Sequence, residues 1–364
     1  MPLRLRSECK PACGGAAFVT PQHRISMSSR TRFISVAAAF LLAGTVQAQP
    51  TEAPPGAPAL LAQVYKNEFA PRGQAFATEA RGLLAATDAW CNGSASDATA
   101  GLESARAQWR STTTAWDRLA GVAVGPLVKR RALTALDFNP TRPPLIERAI
   151  TTAPVGAEAM ERVGTPAKGI PALEWLLWTK NPAPQSPACR YTQQVAGELA
   201  READVLAAGL TELAAVDWAA DPRRTFLAWQ ELFNQWLGGI ERLRWVQIDK
   251  PLKTAETSAN GKPPVFGRAA SGHTDASWAA QWSAARALAA PVAQSLAAAG
   301  QQPLADRLSA AFAAADAAMQ QAKAQQPATL PAATRELAAV KKLVEADVAT
   351  ALDVTIGFSD GDGD

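Results

Sequence analysis

Glu174 is the lone carboxylate of "KGIPALEWLLW" (168–178), a run that is apolar on either side of it. On a helix it shares a face with Ile170, Leu177 and Trp178, and the other faces of that turn are apolar as well. An ionised carboxylate there is costly unless it is paired, bound to a metal or protonated. Pairing would draw on Arg130, Arg131, Arg242 or Arg244. Pro171 suits a first helical turn, where its missing N–H costs nothing, and Gly169 lets the chain turn in. The free N–H groups of that helix start would then lie one turn from Glu174.

The ending "GFSDGDGD" (357–364) supplies a second candidate set. Asp360, Asp362 and Asp364 alternate with other residues, as in the opening of a Ca²⁺ loop, but the later bidentate Glu is absent. A frayed, solvated tail is the other reading. Gly169, Pro171, Glu174 and Ser271 are the ligand-binding candidates, and Glu174, Asp360 and Asp362 the metal candidates. No catalytic residue is assigned. A metal held by such oxygens would be hard, iron or calcium, though the cofactor itself stays unknown.

Other chemistries lack their residues. Beyond residue 48 the only histidine is His273, so HExxH and multi-histidine metal sites are excluded. A Ser–His–Asp triad would have to use His273, which lies in a Gly-rich stretch. There is no P-loop and no GxGxxG.

The elements that must position these residues are helices. Leu102, Trp109 and Trp116 recur every seven residues in 96–121, with Ser96 or Asp97 as N-cap. Trp229 and Trp236 repeat that spacing in 221–247, which opens with Asp and Pro. Helical patterns also cover 58–90, bent at Pro71, and 190–216, 275–299, 302–323 and 330–356. The pattern predicts an all-α chain of two helical-bundle domains, 49–217 and 218–364, since a single core rarely exceeds about 300 residues. Two segments interrupt the helices: Pro-rich 139–149 and Gly/Pro/Ser-rich 253–274, the latter long enough to be functional or mobile.

Residues 1–48 read as a leader. Met27 is the expected true start, Arg30 and Arg32 form a positive region, and "FISVAAAFLLAG" (33–44) is an apolar stretch too short to span a bilayer. "VQA" (46–48) places cleavage after Ala48. Thr45 stands where a lipidated Cys would be needed, so the expectation is a periplasmic chain without a membrane anchor. Removing six basic residues and one acidic one leaves 30 and 32, which gives no electrostatic footprint for nucleic acid. Cys9 and Cys13 leave with the leader. The remaining Cys91 and Cys189 read as a disulfide in an oxidising compartment, or otherwise as two buried thiols.

Taken together, "KGIPALEWLLW" resembles the imelysin signature, a Gly-x-His-x-x-Glu motif followed by an apolar aromatic run, and "IGFSDGDGD" resembles that family's ending. Residues 89–127, "ALDFNP" (135–140) and "LFNQWLGGIERLRWVQIDKPL" (232–252) fit in order, so the similarity spans nearly the whole chain after the leader. The resemblance implies two bundle-like helical domains with the motif near their interface. It also implies a bacterial cell-envelope protein, often linked to iron uptake, with an outer-membrane or periplasmic iron-transport partner. Gly169 and Glu174 match the motif, but its histidine position is Pro171, which has neither a metal-binding lone pair nor a titratable proton. The reading that follows is a non-catalytic binder of a metal or small ligand in metal acquisition. The alternatives are an imelysin-class metallopeptidase and a helical module that presents itself to a transport partner.

Overall fold

The computed structural model describes residues 52–257 and 261–357. The leader, and with it the expected cleavage after Ala48, lies outside them, as do Asp360 and Asp362. The chain is all-α, with no strand among the described residues. Its main helices are α1 (57–92), α2 (Ala98–Ala120), α3 (Pro143–Thr152), α4 (169–180), α5 (Pro187–Ala214), α6 (222–256), α7 (Thr274–Ala287), α8 (Ala289–Ala298), α9 (Gln302–Gln321) and α10 (330–351).

Several of these boundaries follow from proline. Pro71 cannot donate to the helical ladder and crowds the carbonyl four residues earlier. The chain relieves this with a π-helical stretch, Tyr65–Phe69, just before it, so α1 continues through the expected bend. The same arrangement precedes Pro251, where Arg242–Asp249 is π-helical within α6. The segment 139–149 interrupts less than expected, because Pro143 and Pro144 open α3. The helical pattern over 275–299 is broken at Leu288, between α7 and α8.

Packing follows the heptad stripes. α1 lies against both α2 and α5, and α2 packs in turn on α7. α8, α9 and α10 stack in sequence, and α6 packs on α7 and α10. Trp109, Trp116, Trp229 and Trp236 are fully buried, each on the stripe its spacing assigns. Cys91, near the end of α1, is bonded to Cys189, at the start of α5, with Cα atoms 5.5 Å apart.

The proposed division at 217/218 falls in the turn between α5 and α6. From α1 to α10 the helices belong to one compact unit, and its apolar core runs past that turn. At one crossing the first half meets the second backbone on backbone. A Cβ built on Gly239 of α6 would come 1.9 Å from the carbonyl oxygen of Gly121, at the end of α2. Only glycine allows that approach. No described helix is long and apolar enough to cross a membrane.

Candidate functional site

The site begins with a turn that only glycine makes without strain. Gly169 has φ of +80°, and a Cβ there would lie 2.4 Å from the Leu136 carbonyl oxygen. The chain thereby enters α4 pressed against the "ALDFNP" segment. Residues 169–174 are all buried, Pro171 and Glu174 among them. Trp178, further along α4, packs edge-on against Trp109 of α2 and lies under the guanidinium groups of Arg106 and Arg110.

Glu174 has none of the four expected arginine partners. Arg130 pairs with Glu202, Arg244 with Glu241 and Asp249, and Arg242 donates to the Ala120 carbonyl. The carboxylate instead accepts two hydrogen bonds at Oε1 from Ser271, 3.0 Å from the backbone N–H and 2.7 Å from the hydroxyl. Ser271 lies in the short loop that precedes α7. That loop is shaped by left-handed backbone at Arg268 (φ 63°) and Gly272 (φ 66°) and closed by the His273 N–H donating to the Arg268 carbonyl. Glycine accepts such a φ freely. For arginine it is uncommon, so other contacts must hold it.

Those contacts are ionic. Arg268 is 6% exposed and donates to Asp137 at 2.6 Å, with Asp117 at 4.0 Å. Burial works against its charge, but Asp137, Asp117 and Glu174 together hold its pKa above the usual value. Asp137 also accepts from the Trp116 indole N–H and from Asn139. Arg242, half-buried nearby, is lowered to about 10 by desolvation, with Asp137 and Asp117 opposing.

The count of charges in this buried cluster explains its least satisfied member. Asp117, Asp137 and Glu174 face two guanidinium groups, Arg242 and Arg268. Asp117 is 2% exposed, and its Oδ2 has no hydrogen-bond partner. Burial first, and the Asp137 charge after the opposing pull of Arg268, push its pKa up to about 7. Protonating it would leave two carboxylates opposite two guanidinium groups.

His273 closes the loop on its outer side. Its Nε2 lies 2.9 Å from the Thr114 hydroxyl, and burial, aided by the charges of Arg268 and Arg110, lowers its pKa to about 4. It is therefore a neutral imidazole at neutral pH, and its recorded side-chain partner is a threonine, not a serine nucleophile. Arg110 bridges outward by donating to the Ser271 carbonyl at 3.2 Å. Above them lies a cleft of about 630 Å³ between α1 and α2, which His273, Thr114 and Arg110 help to line.

The structure thus brings together Gly169, Glu174 and Ser271, with Pro171 buried in the first turn of α4. Arg268, Asp117, Asp137, Arg110 and Thr114 are further members that sequence reading did not single out. One had a visible signal. Asp117 falls on the same helical stripe as Trp109, Thr113 and Trp116, where an acid has no reason to be unless partnered.

The donor set does not suit a bare cation at Glu174. Its Oε1 already accepts two hydrogen bonds, the cation next to it is the fixed guanidinium of Arg268, and Pro171 offers no lone pair. Among the described residues no group of three or more His, Cys, Asp or Glu is placed to hold a metal.

Comparison with known proteins agrees with the architecture. The imelysin family model matches residues 69–353. An imelysin-like protein from Psychrobacter arcticum 273-4 superposes with a TM-score of 0.69 at 20% identity, covering 83% of this chain and 97% of that one. A candidate iron-regulated protein A precursor from Parabacteroides distasonis ATCC 8503 gives a TM-score of 0.62 at 14% identity, covering 84% and 97%. No curated protein matches the chain.

Proposed function

Because the chain belongs to the imelysin family, we propose that it is a non-catalytic periplasmic binding protein that takes up a small ligand in iron or other metal acquisition. The observation that carries this reading is the state of Glu174. It is buried, yet it is held by Ser271 of a loop that borders an open cleft rather than locked in an ion pair of its own. A carboxylate kept only for stability would be expected to take the simpler partner. Here it fixes the loop that presents His273 to Thr114 and the Ser271 carbonyl to Arg110. Metal would reach such a protein as part of a complex, because the donors at Glu174 do not suit the bare ion. The iron-regulated designation of the Parabacteroides distasonis protein supports the link to iron.

Glu174→Gln tests the reading. The amide oxygen can still accept from Ser271, so the expected stability loss is on the order of 1–2 kcal/mol, that of a weakened charged hydrogen bond. Native mass spectrometry of protein taken from the periplasm should show a small bound species in the wild type and none in the variant. A large fall in melting temperature with the bound species retained would reduce Glu174 to a packing role. Proteolysis of casein by the wild type, abolished by a chelator and by Glu174→Ala, would overturn the non-catalytic assignment.

A further inference from the structure

We propose that the cleft between α1 and α2 is an anion site, built to take a small molecule that carries two or more carboxylate or phosphate groups. This deepens the function proposed above by naming the ligand's chemistry, and it rests on that reading for the role of the Ser271 loop.

Arg110, Thr114 and Arg118 recur every four residues on α2 and so share one face, spread over about 12 Å of helix axis. Arg72 of α1 faces the same space, and His273, Ser111 and Asn67 add uncharged polar groups to the lining. Two acids also line the cleft, and both are already engaged. Glu68 accepts from Arg72 at 2.5 Å, and Glu79 accepts from the Gln108 amide at 2.6 Å, a neutral donor that does not cancel its charge, so three arginines face two acids across the cleft. Arg110 is held over Trp178 and donates to the Ser271 carbonyl, but it makes no carboxylate contact among the described residues. Arg118 is exposed and has no ion pair among the described residues.

The guanidinium charges also work against each other. Arg72 is pulled below its ordinary pKa by burial, with Glu68 opposing and Arg118 adding to the fall. Like charges directed into one space cost energy until an anion sits between them. Guanidinium groups several ångströms apart select for a ligand with more than one anionic group, because each planar fork recognises a carboxylate or phosphate in two-point fashion. The neutral His273 ring, held by Thr114, adds a hydrogen-bonding group at the floor without adding charge. Through the Ser271 carbonyl, an anion drawn to Arg110 would be felt by the loop that clasps Glu174.

Calorimetric titration of the purified chain with citrate and with inorganic phosphate, at low and at moderate salt, tests the proposal. Citrate should bind, more weakly as salt rises. Arg118→Gln, an exposed position that should not disturb folding, should weaken it by about tenfold or more, and Arg118→Lys should recover part of the loss. Lys341→Gln, outside the lining of this cleft, should change nothing. Phosphate binding in preference to citrate, with the same dependence on Arg118, would uphold the anion site and assign it to phosphoryl groups. No heat with either probe, or binding indifferent to Arg118→Gln, overturns it. Failure of the functional reading looks different: citrate would still bind and still depend on Arg118, while Glu174→Gln would leave the species bound in the periplasm in place.

Discussion

Two clefts of nearly the same size open on this molecule, and they differ in what their charges are doing. The one between α1 and α2 measures about 630 Å³, and the one between α6 and α10 about 620 Å³. In the second, Arg244 is clasped by Glu241 and Asp249, and Lys341 reaches Glu345. In the first, Arg110 and Arg118 have no carboxylate partner among the described residues, and the floor rests on a buried ionic cluster. Space alone therefore does not mark a site. The distinguishing feature is charge left over after the protein has satisfied itself.

The largest expected effect breaks that comparison at its base. Arg268→Met should strand Asp137 and release the left-handed loop, costing about 3–5 kcal/mol in denaturant unfolding. The corresponding removal at the other cleft, Arg244→Met, should cost about 1 kcal/mol or less, because that ion pair is partly exposed. Equal costs would mean that the two charge clusters do the same structural work.

A pH series sharpens the contrast, because Asp117 of the buried cluster and His273 on the lining of the first cleft have shifted pKa values of opposite consequence. Asp117, raised from 3.8 to about 7, stays protonated in the folded chain while the unfolded chain ionises, so its contribution falls as pH rises between those values. His273, lowered from 6.5 to about 4, stays neutral in the folded chain while the unfolded chain is protonated, so its contribution rises over that interval. From about pH 4 to 6.5 the two largely cancel. Asp117→Asn should expose the rising limb and His273→Gln the falling one, both read from unfolding midpoints across pH. Identical profiles for wild type and both variants would mean that neither group titrates as described. The smallest effect is expected in the second cleft. Lys341→Gln should leave stability within about 0.5 kcal/mol, as for most exposed pairs.

Much of this architecture was legible in the sequence because helical burial leaves a period. The seven-residue tryptophan spacing placed Trp109, Trp116, Trp229 and Trp236 on core stripes, and the Cys91–Cys189 pairing followed from their being the only cysteines beyond the leader. Glu174 stood out for the complementary reason, as a charge on an apolar face. What could not be read was its partner. Ser271 is 97 residues away in a loop whose shape depends on left-handed backbone at Arg268 and Gly272, and no local pattern encodes that long-range contact. The arginine stripe of α2 was equally quiet, since Arg110 and Arg118 look like any solvated helix face until the neighbours that fail to neutralise them are known.

The contact between Gly121 and Gly239 leaves no room for a side chain. Where α6 crosses the end of α2 the two backbones touch directly, and only glycine permits it. Any bulk inserted becomes a wedge. A methyl group at 239 would have to sit 1.9 Å from the Gly121 oxygen, and a separation forced at that crossing grows with distance along both helices. Arg110 of α2 donates to the Ser271 carbonyl of the loop before α7, so a shift of α2 forced at that crossing would reach the loop that holds Glu174. A substitution that touches neither Glu174 nor any arginine could therefore disable the site by displacing α2 from the Ser271 loop.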